Sequence, residues 1–594
     1  MNVMLFLIIS LIVHSIPVPF SGLMFRPNRL IRWLPFRLVW GTGAWIVISI
    51  AFAMTLPWAI ISLIMSVALL IMISGGFRPG EVGEMMEGLR TPLVCVGFMI
   101  LLILPMVSGV ISWTSDVSNA ETVDEFITRT EEPLFTTPIP DEMVRLVTSE
   151  FAEFEARRRL ASIGSNLEIA ASHITTRNGR LVWVCTVVST NVLSENFIKA
   201  FIVVDANDPT LVEVIQPVSI PVGEGLFWDR NIQFSNYLED MTSAYEYAYP
   251  TWDPIGNMVY VQTRTQLGWD FVERPLGPKV YWENGTVYAY STIEETPEWI
   301  TQAYSEEWLE RQVSRWGGYQ RGDTFDLFAG GFLWFIPPSN DRLEMTEDTR
   351  YIVNPDTNRV EAFIAVHPPA SSQLSLSGMI RATTDGILYH DLSEQELSSG
   401  SSAINEVIKD FPDPVEGSYR GAMPLIYPVQ INSTYSRLAW YCPIYWWNAQ
   451  YDEDVEDYVL SDIRLHALGM ADAEDVTISY TETSEGSLIG ASLVESVRES
   501  YIQTVKDALG LGEEVRDAVQ LSANIINVTS FVEQGNTHIV LRTDNATYEW
   551  LEGAAEWMDT IDWYALLTIQ VGDSFTATIQ NVDGVNRIIA FSKN

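Results

Sequence analysis

Five carboxylates crowd one short stretch, Asp452, Glu453, Asp454, Glu456 and Asp457, with Asp462 close behind. Hard oxygen ligands at alternating positions are what Ca²⁺ takes. Asp452, Asp454, Glu456 and Asp457 are therefore the candidate metal ligands, and Ca²⁺ is the only cofactor suggested. The EF-hand spacing and its glycine are missing, so a solvated acidic loop is the simpler reading. Asp205, Asn207 and Asp208 make a smaller oxygen cluster that turn capping explains. Nucleophilic catalysis needs a base beside the nucleophile, yet His173, His367, His390, His466 and His538 are scattered and carry no partner motif. HExxH, GxSxG, a phosphate-binding glycine loop and CxxC are all absent. No catalytic residue is assigned, and an enzyme is disfavoured although carboxylate enzymes leave no local signature.

Other residues point to a surface. Asn-x-Ser/Thr sites at Asn284, Asn432, Asn527 and Asn545 are candidate glycosylation sites and suit an exported chain. Cys95, Cys185 and Cys442 are too few for a disulfide framework, and buried free thiols are preferred to a Cys185–Cys442 bridge. Aromatics crowd at Trp440, Tyr441, Tyr445, Trp446 and Trp447, and again from Phe325 to Phe335; most are expected in the core. The second run could dip into lipid, but its Asp326 and paired Gly330-Gly331 favour a buried segment. Arg321-Gly322-Asp323 resembles an adhesion tripeptide, and chance explains it.

What must carry these residues divides by charge. The chain of 594 residues has 35 cations and 76 anions, of which the first 113 residues hold six and three. The remaining 29 cations and 73 anions leave the body near −44. Such an acidic surface, with five Lys against thirty Arg, repels nucleic acid and anionic lipid. Asn2–Phe20, Leu38–Ser74 and Pro92–Trp113 are apolar, and roughly 20 helical residues cross a bilayer. The first and third are expected to cross once each. The middle run crosses twice if the chain reverses near Thr55, Leu56 and Pro57.

Loop charge favours that four-crossing arrangement. Arg26, Arg29, Arg32 and Arg37 in one loop and Arg78 and Arg90 in another then both stay cytoplasmic, with the body outside. A three-crossing alternative exports four arginines and ranks second. Cleavage of residues 1–20 as a signal peptide is a further alternative, lacking a cationic n-region. The expected location is the cell membrane, multi-pass, with a large domain outside the cytoplasm and lipid as one partner.

Residues 114–140 read as a polar linker. Beyond it, α+β units are expected at 141–225, 226–320, 321–400 and 401–490. Asn178-Gly179 marks a hairpin between Leu167–Thr175 and Leu181–Ser189, and Ala200–Val204 with Leu211–Ile215 makes another. A helix capped by Ser149 precedes them. A second helix is expected over Pro297–Trp316 with Thr296 as cap, and a third over Ala403–Phe411. Residues 491–594 read as a helix plus a small Greek-key barrel of OB type, with strands at Ile525–Val532, His538–Thr543, Ala546–Trp550, Leu567–Ile569, Ser574–Val582 and Arg587–Ser592.

Met143 to Ala152, Asn178 to Val184, Ile202 to Asp205, Pro297 to Ile300 and Val313 to Tyr319 resemble PepSY-like repeats of membrane-anchored extracytoplasmic proteins from microbes and their viruses. The resemblance spans about residues 141–450, and the β tail resembles an OB-like domain. The fold implied is α+β, with N-terminal transmembrane helices, tandem PepSY-like units and a C-terminal small β-barrel. The role implied is extracytoplasmic binding or assembly. The expected function is thus a non-catalytic, membrane-anchored structural or assembly protein, forming a homo-oligomer. A pore or secretion component is the first alternative, and an exoenzyme or protease inhibitor the second.

Overall fold

The apolar N-terminal region folds as four helices, α1 (Val3–Ser15), α2 (Pro27–Trp45), α3 (Leu56–Gly76) and α4 (Glu84–Phe126). A computed structural model describes the chain apart from residues 17–26, 77–83, 192, 332–333, 346–349, 370–374, 410, 413, 415–416, 433–434, 453–456, 485–487, 510–518, 534–535, 559, 583–584 and 594. A π-helical turn, Ile46–Ala51, extends α2, and the helix breaks at Phe52–Thr55 just ahead of Pro57. Trp45 Nε1 donates to the Val3 carbonyl at 3.1 Å and Arg37 to that of Ile16 at 2.9 Å, so α2 runs antiparallel to α1. Trp40 Nε1 donates to Ser66 Oγ at 3.1 Å, which brings α3 back along α2.

Leu101 of α4 shares an apolar recess with Leu69 of α3, whereas Trp58 of α3 packs on Phe271, which is bonded to Asn119 of α4. Thus α4 is antiparallel to α3. The start of α1, the α2–α3 break and the end of α4 all lie at the body end.

One expectation reaches past the described residues and one is corrected here. The first apolar run was expected to cross the bilayer over Asn2–Phe20, of which α1 covers 13 residues, and residues 17–20 lie outside the described residues. The described helix is about 20 Å long against a hydrocarbon core of about 30 Å. Among the described residues, Leu34–Ala51 and Gly97–Phe126 are the helical stretches long and apolar enough to cross, while Val3–Ser15 and Leu56–Leu70 are shorter. The expected linker is the second case. Rather than ending at Trp113, α4 continues to Phe126 and leads into β1 (Ile127–Thr130). Its polar residues hold the helix against the body, as described below.

The chain is a mixed α+β protein. After α5 (Ser149–Ile163), capped by Thr148 Oγ1 and not by Ser149, comes an antiparallel meander of β2 (Leu167–Arg177), β3 (Arg180–Ser189), β4 (Ala200–Asp205) and β5 (Val212–Ile215). Asn178 and Gly179 turn β2 into β3 with φ of 52° and 75°, a left-handed pair that such two-residue loops require. Next, α6 (Ile232–Glu239) precedes β6 (Ser243–Ala244), β7 (Ala248–Trp252), β8 (Met258–Leu267), β9 (Glu273–Trp282) and β10 (Val287–Ala289). The two sheets share a core in which Val184, Phe201 and Val203 meet Ala248, Tyr260 and Tyr281.

The helix expected over Pro297–Trp316 is α7, which covers Glu306–Gly318. Ser305 Oγ accepts from Trp308 N, and Glu306 and Glu307 fill the first turn, so the stronger cap lies nine residues beyond Thr296. A short hairpin, β11 (Gln320–Arg321) and β12 (Thr324–Phe325), leads to β13 (Glu344–Met345), β14 (Arg350–Asn354), β15 (Arg359–His367), β16 (Gly378–Thr383) and β17 (Gly386–Asp391). β1 joins this sheet in parallel beside β17. Helix α8 (Gly400–Ile408) precedes β18 (Ser418–Gly421), β19 (Leu425–Gln430), β20 (Ser436–Asp452), β21 (Asp457–Asp472) and β22 (Ser479–Thr483).

Helix α9 (Ala491–Leu509) closes the first unit, Met1–Val505, and enters the second, Lys506–Asn594. In the second, β23 (Val519–Glu533), β24 (Asn536–Thr543), β25 (Trp550–Ala554), β26 (Ser574–Val582) and β27 (Val585–Lys593) close into a barrel in the order β23-β24-β25-β27-β26. Leu567 ends the helix α10 (Thr560–Leu567) where a strand Leu567–Ile569 was expected. Most of the expected strand Ala546–Trp550 is a turn: Asn545 Oδ1 accepts from the amides of Thr547 and Tyr548, and β25 starts only at Trp550.

Candidate membrane anchor and its junction with the body

The anchor helices turn large apolar side chains outward. Ile8 and Ile12 of α1, Val39 of α2, Ile64 of α3 and Leu102 and Met106 of α4 are exposed, Val39 by 71% and Met106 by 65%. Contiguous exposed apolar side chains of this kind mark a surface that meets lipid or another protein. Inward, the helices hold polar groups. His14 Nδ1 bonds the Ser10 carbonyl at 2.8 Å, His14 Nε2 bonds Ser66 Oγ at 3.1 Å, and Ser10 Oγ donates to the Gly41 carbonyl at 2.9 Å. Gly41 suits this spot because a Cβ there would sit 3.2 Å from that of His14.

At the body end the anchor is built into the fold. Val3, Phe6, Ile48, Ala59 and Leu63 form one buried cluster with Tyr237 and Met241. Tyr237 Oη donates to the Met54 carbonyl at 2.9 Å, and the Leu56 amide donates to the Met241 carbonyl at 2.9 Å. Asn119 Nδ2 donates to the Phe271 carbonyl at 3.1 Å while its Oδ1 accepts from the Glu273 amide at 2.9 Å. One turn earlier, Asp116 meets Arg315 at 3.0 Å; later, Trp316 Nε1 donates to Asp124 at 2.8 Å. Arg315 and Arg311 both pair with Glu273, at 3.2 and 2.9 Å. Asp116 and Asp124 thus hold α4 to α7, while Asn119 holds it to the start of β9.

The residues singled out in the sequence fare unevenly. Asp454 and Glu456 lie outside the described residues. Asp452 and Asp457 face each other in register at the ends of β20 and β21, and nothing is described of their side chains. Among the described residues no group of three His, Cys, Asp or Glu is arranged to hold a metal. Asp205 Oδ1 accepts from the amides of Asn207 and Asp208, which is the capped turn expected.

Asn284 is exposed at the β9–β10 turn, and Asn527 is exposed on β23. Asn432 and Asn545 are half-buried in turns. Cys185 and Cys442 are buried free thiols. Trp440, Tyr441 and Tyr445 are core, while Arg464 stacks on Trp446 and Arg420 on Trp447. Arg321-Gly322-Asp323 forms the turn of the β11–β12 hairpin, with Gly322 at φ 58°. The Phe325–Phe335 run departs from its expected burial, because Trp334 is 94% exposed.

Two arrangements had no local signal. His173 Nε2 lies 2.7 Å from Glu224, which also accepts from Tyr260 Oη at 2.6 Å. Burial by itself lowers the His173 pKa, but the Glu224 carboxylate and its hydrogen bond outweigh it and hold the imidazole above its ordinary value. A recess of about 840 Å³ is lined by Phe151, Phe154, Arg158, Arg159 and Arg464 among others. Two of these arginines already pair, Arg158 with Glu155 and Arg464 with Asp462. No protein-family profile, curated protein or solved structure matches this chain.

Proposed function

We propose that this chain is a non-catalytic, membrane-anchored surface protein whose body stands outside the cytoplasm and which assembles with copies of itself. The observation that carries the reading is the outward apolar face on all four anchor helices, continuous with a body that they enter rigidly. Bilayer is the solvent that such a face fits. The antiparallel packing supports a body outside: the ends of α1 and α3 and the starts of α2 and α4 lie away from the body, with Arg29 and Arg32 in the first two turns of α2 and Arg90 in those of α4.

An apolar recess of about 590 Å³ lined by Val39, Gly43, Val47, Met65, Leu69 and Leu101 supports self-association, since close helix approach in lipid uses such small-residue gaps. Among the described residues, each open sheet of four or more strands has an antiparallel set of strands that follows a helix in sequence, which supports PepSY-like units. The barrel order, with α10 between its third and fourth strands, supports an OB-like domain. Native mass measurement in lipid nanodiscs tests the assembly, and monomers with no bound partner would sink it.

One observation favours a transport role instead. His14 is buried among the anchor helices, and ionisable groups at such depth often mark a pathway. Its ring nitrogens are both hydrogen-bonded, which suits a structural pin better. Ion flux through reconstituted liposomes separates the two.

A further inference from the structure

We infer that the body itself is seated in the bilayer interface, through a ring of aromatic side chains at its base led by Trp334 and Phe335. This rests on the membrane-anchor reading above and adds a second contact with lipid. Trp113 marks the boundary of the anchor, because the apolar run of α4 ends there and Asp116 follows within a turn. The Trp113 ring meets Phe328 edge to face at 5.7 Å, so Phe328 lies at the level where α4 leaves the apolar region. The Gly331 amide donates to the Phe328 carbonyl at 2.9 Å and the Ser339 amide to that of Ala329 at 2.6 Å, which brings Ser339 back beside Ala329. At its tip Trp334 is 94% exposed and Phe335 55%, their rings 5.8 Å apart.

Two more loops repeat the pattern beside other anchor helices. Trp269, 66% exposed, is two residues from Phe271, which packs on Trp58 and bonds Asn119. Exposed Trp228 meets Phe234 with the rings tilted and 5.1 Å apart, and Phe234 in turn packs against the Val3, Phe6 and Tyr237 cluster.

Large aromatics with a polar edge concentrate where lipid headgroups meet acyl chains, and water is a poor solvent for so many of them. Charge agrees. Despite the acidity of the body, Asp270 is neutralised by Arg274 at 2.8 Å and Asp326 by Arg321 at 3.0 Å. The occupant is therefore a neutral or zwitterionic lipid surface, and not a second copy of the chain.

The test uses full-length protein in phosphatidylcholine nanodiscs containing a spin-labelled lipid with the nitroxide near the headgroup. Trp334→Cys, Met106→Cys and Ile255→Cys, each in a Cys95→Ser background, carry an environment-sensitive fluorophore. Ile255 is a fair reference because it is 87% exposed and the ten-residue strand β8, about 30 Å long, separates it from Trp269. We expect emission at position 334 to fall roughly two-fold, as for a group 5–10 Å into the interface, with position 255 unchanged. Quenching at 106 with position 334 behaving like 255 overturns this inference and leaves the anchor intact. Absence of quenching at 106 overturns the anchor reading and this inference together.

Discussion

Asn119 of α4 is 1% exposed and bonds the Phe271 carbonyl at 3.1 Å, 152 residues away in sequence. The helix that carries the last apolar run is therefore part of the body and not a tether to it. Asn119→Ala takes their side-chain partner from the buried Phe271 carbonyl and the part-buried Glu273 amide, at a cost of about 1–3 kcal/mol. Chemical unfolding in detergent should show that loss. Distances between spin labels on α4 and α7 should broaden, and an unchanged distribution would argue for a loose junction.

His173 and Glu224 predict a pH dependence. The folded-state pKa of His173 is raised, so its stabilisation is complete below the ordinary value of 6.5 and is lost as pH climbs through the raised value. His173→Gln should thus lower Tm more at about pH 5.5 than at about pH 9. His390 has the opposite sign, because burial lowers its pKa, but it is present in both proteins and cancels in the comparison. An equal Tm difference at the two pH values would contradict the pairing.

Asp472 is fully buried, with Arg437 at 2.5 Å and Tyr501 Oη at 3.2 Å, and it also accepts from the amides of Glu474 and Asp475. Asp472→Ala takes the acceptor from Tyr501 Oη and from the amides of Glu474 and Asp475, and leaves Arg437 with Glu474 at 2.7 Å as its one carboxylate, so it should cost about 3 kcal/mol. Asp472→Asn, which keeps a hydrogen-bonding oxygen, should cost less. A loss below about 1 kcal/mol in Asp472→Ala, the range of exposed pairs, would refute the buried geometry.

Cys185 and Cys442 should resist maleimide in the folded protein, since both are buried and burial pushes each thiol pKa well above its ordinary value. Both should react once guanidinium unfolds the chain without reductant. Two thiols missing at that stage would mean a bridge.

Val3 and Phe6 are fully buried against Tyr237 and Met241. Loss of residues 1–20 would open that cluster to solvent, so the mature protein should retain them. Intact mass of protein purified from membranes decides this, and a species lacking that segment would restore the signal-peptide reading.

The charge break, the apolar runs and the turns at Asn178-Gly179 and near Pro57 were legible in sequence, because composition and local backbone preference set them. The same local chemistry misplaced α7: Thr296-Pro297 is an acceptable start, and the competing cap at Ser305 carries a stronger acidic first turn. It also read Asn119, Asp116 and Asp124 as linker, since their partners Phe271, Arg315 and Trp316 lie 152 to 199 positions on.

Only the tertiary structure paired His173 with Glu224 and left Trp334 outside the core. Burial is a property of what packs against a residue, and for these side chains that comes from distant chain segments. The sequence by itself determined that an apolar anchor bears an acidic α+β body. Packing decided that the two are joined without a flexible linker and which aromatics remain at the surface.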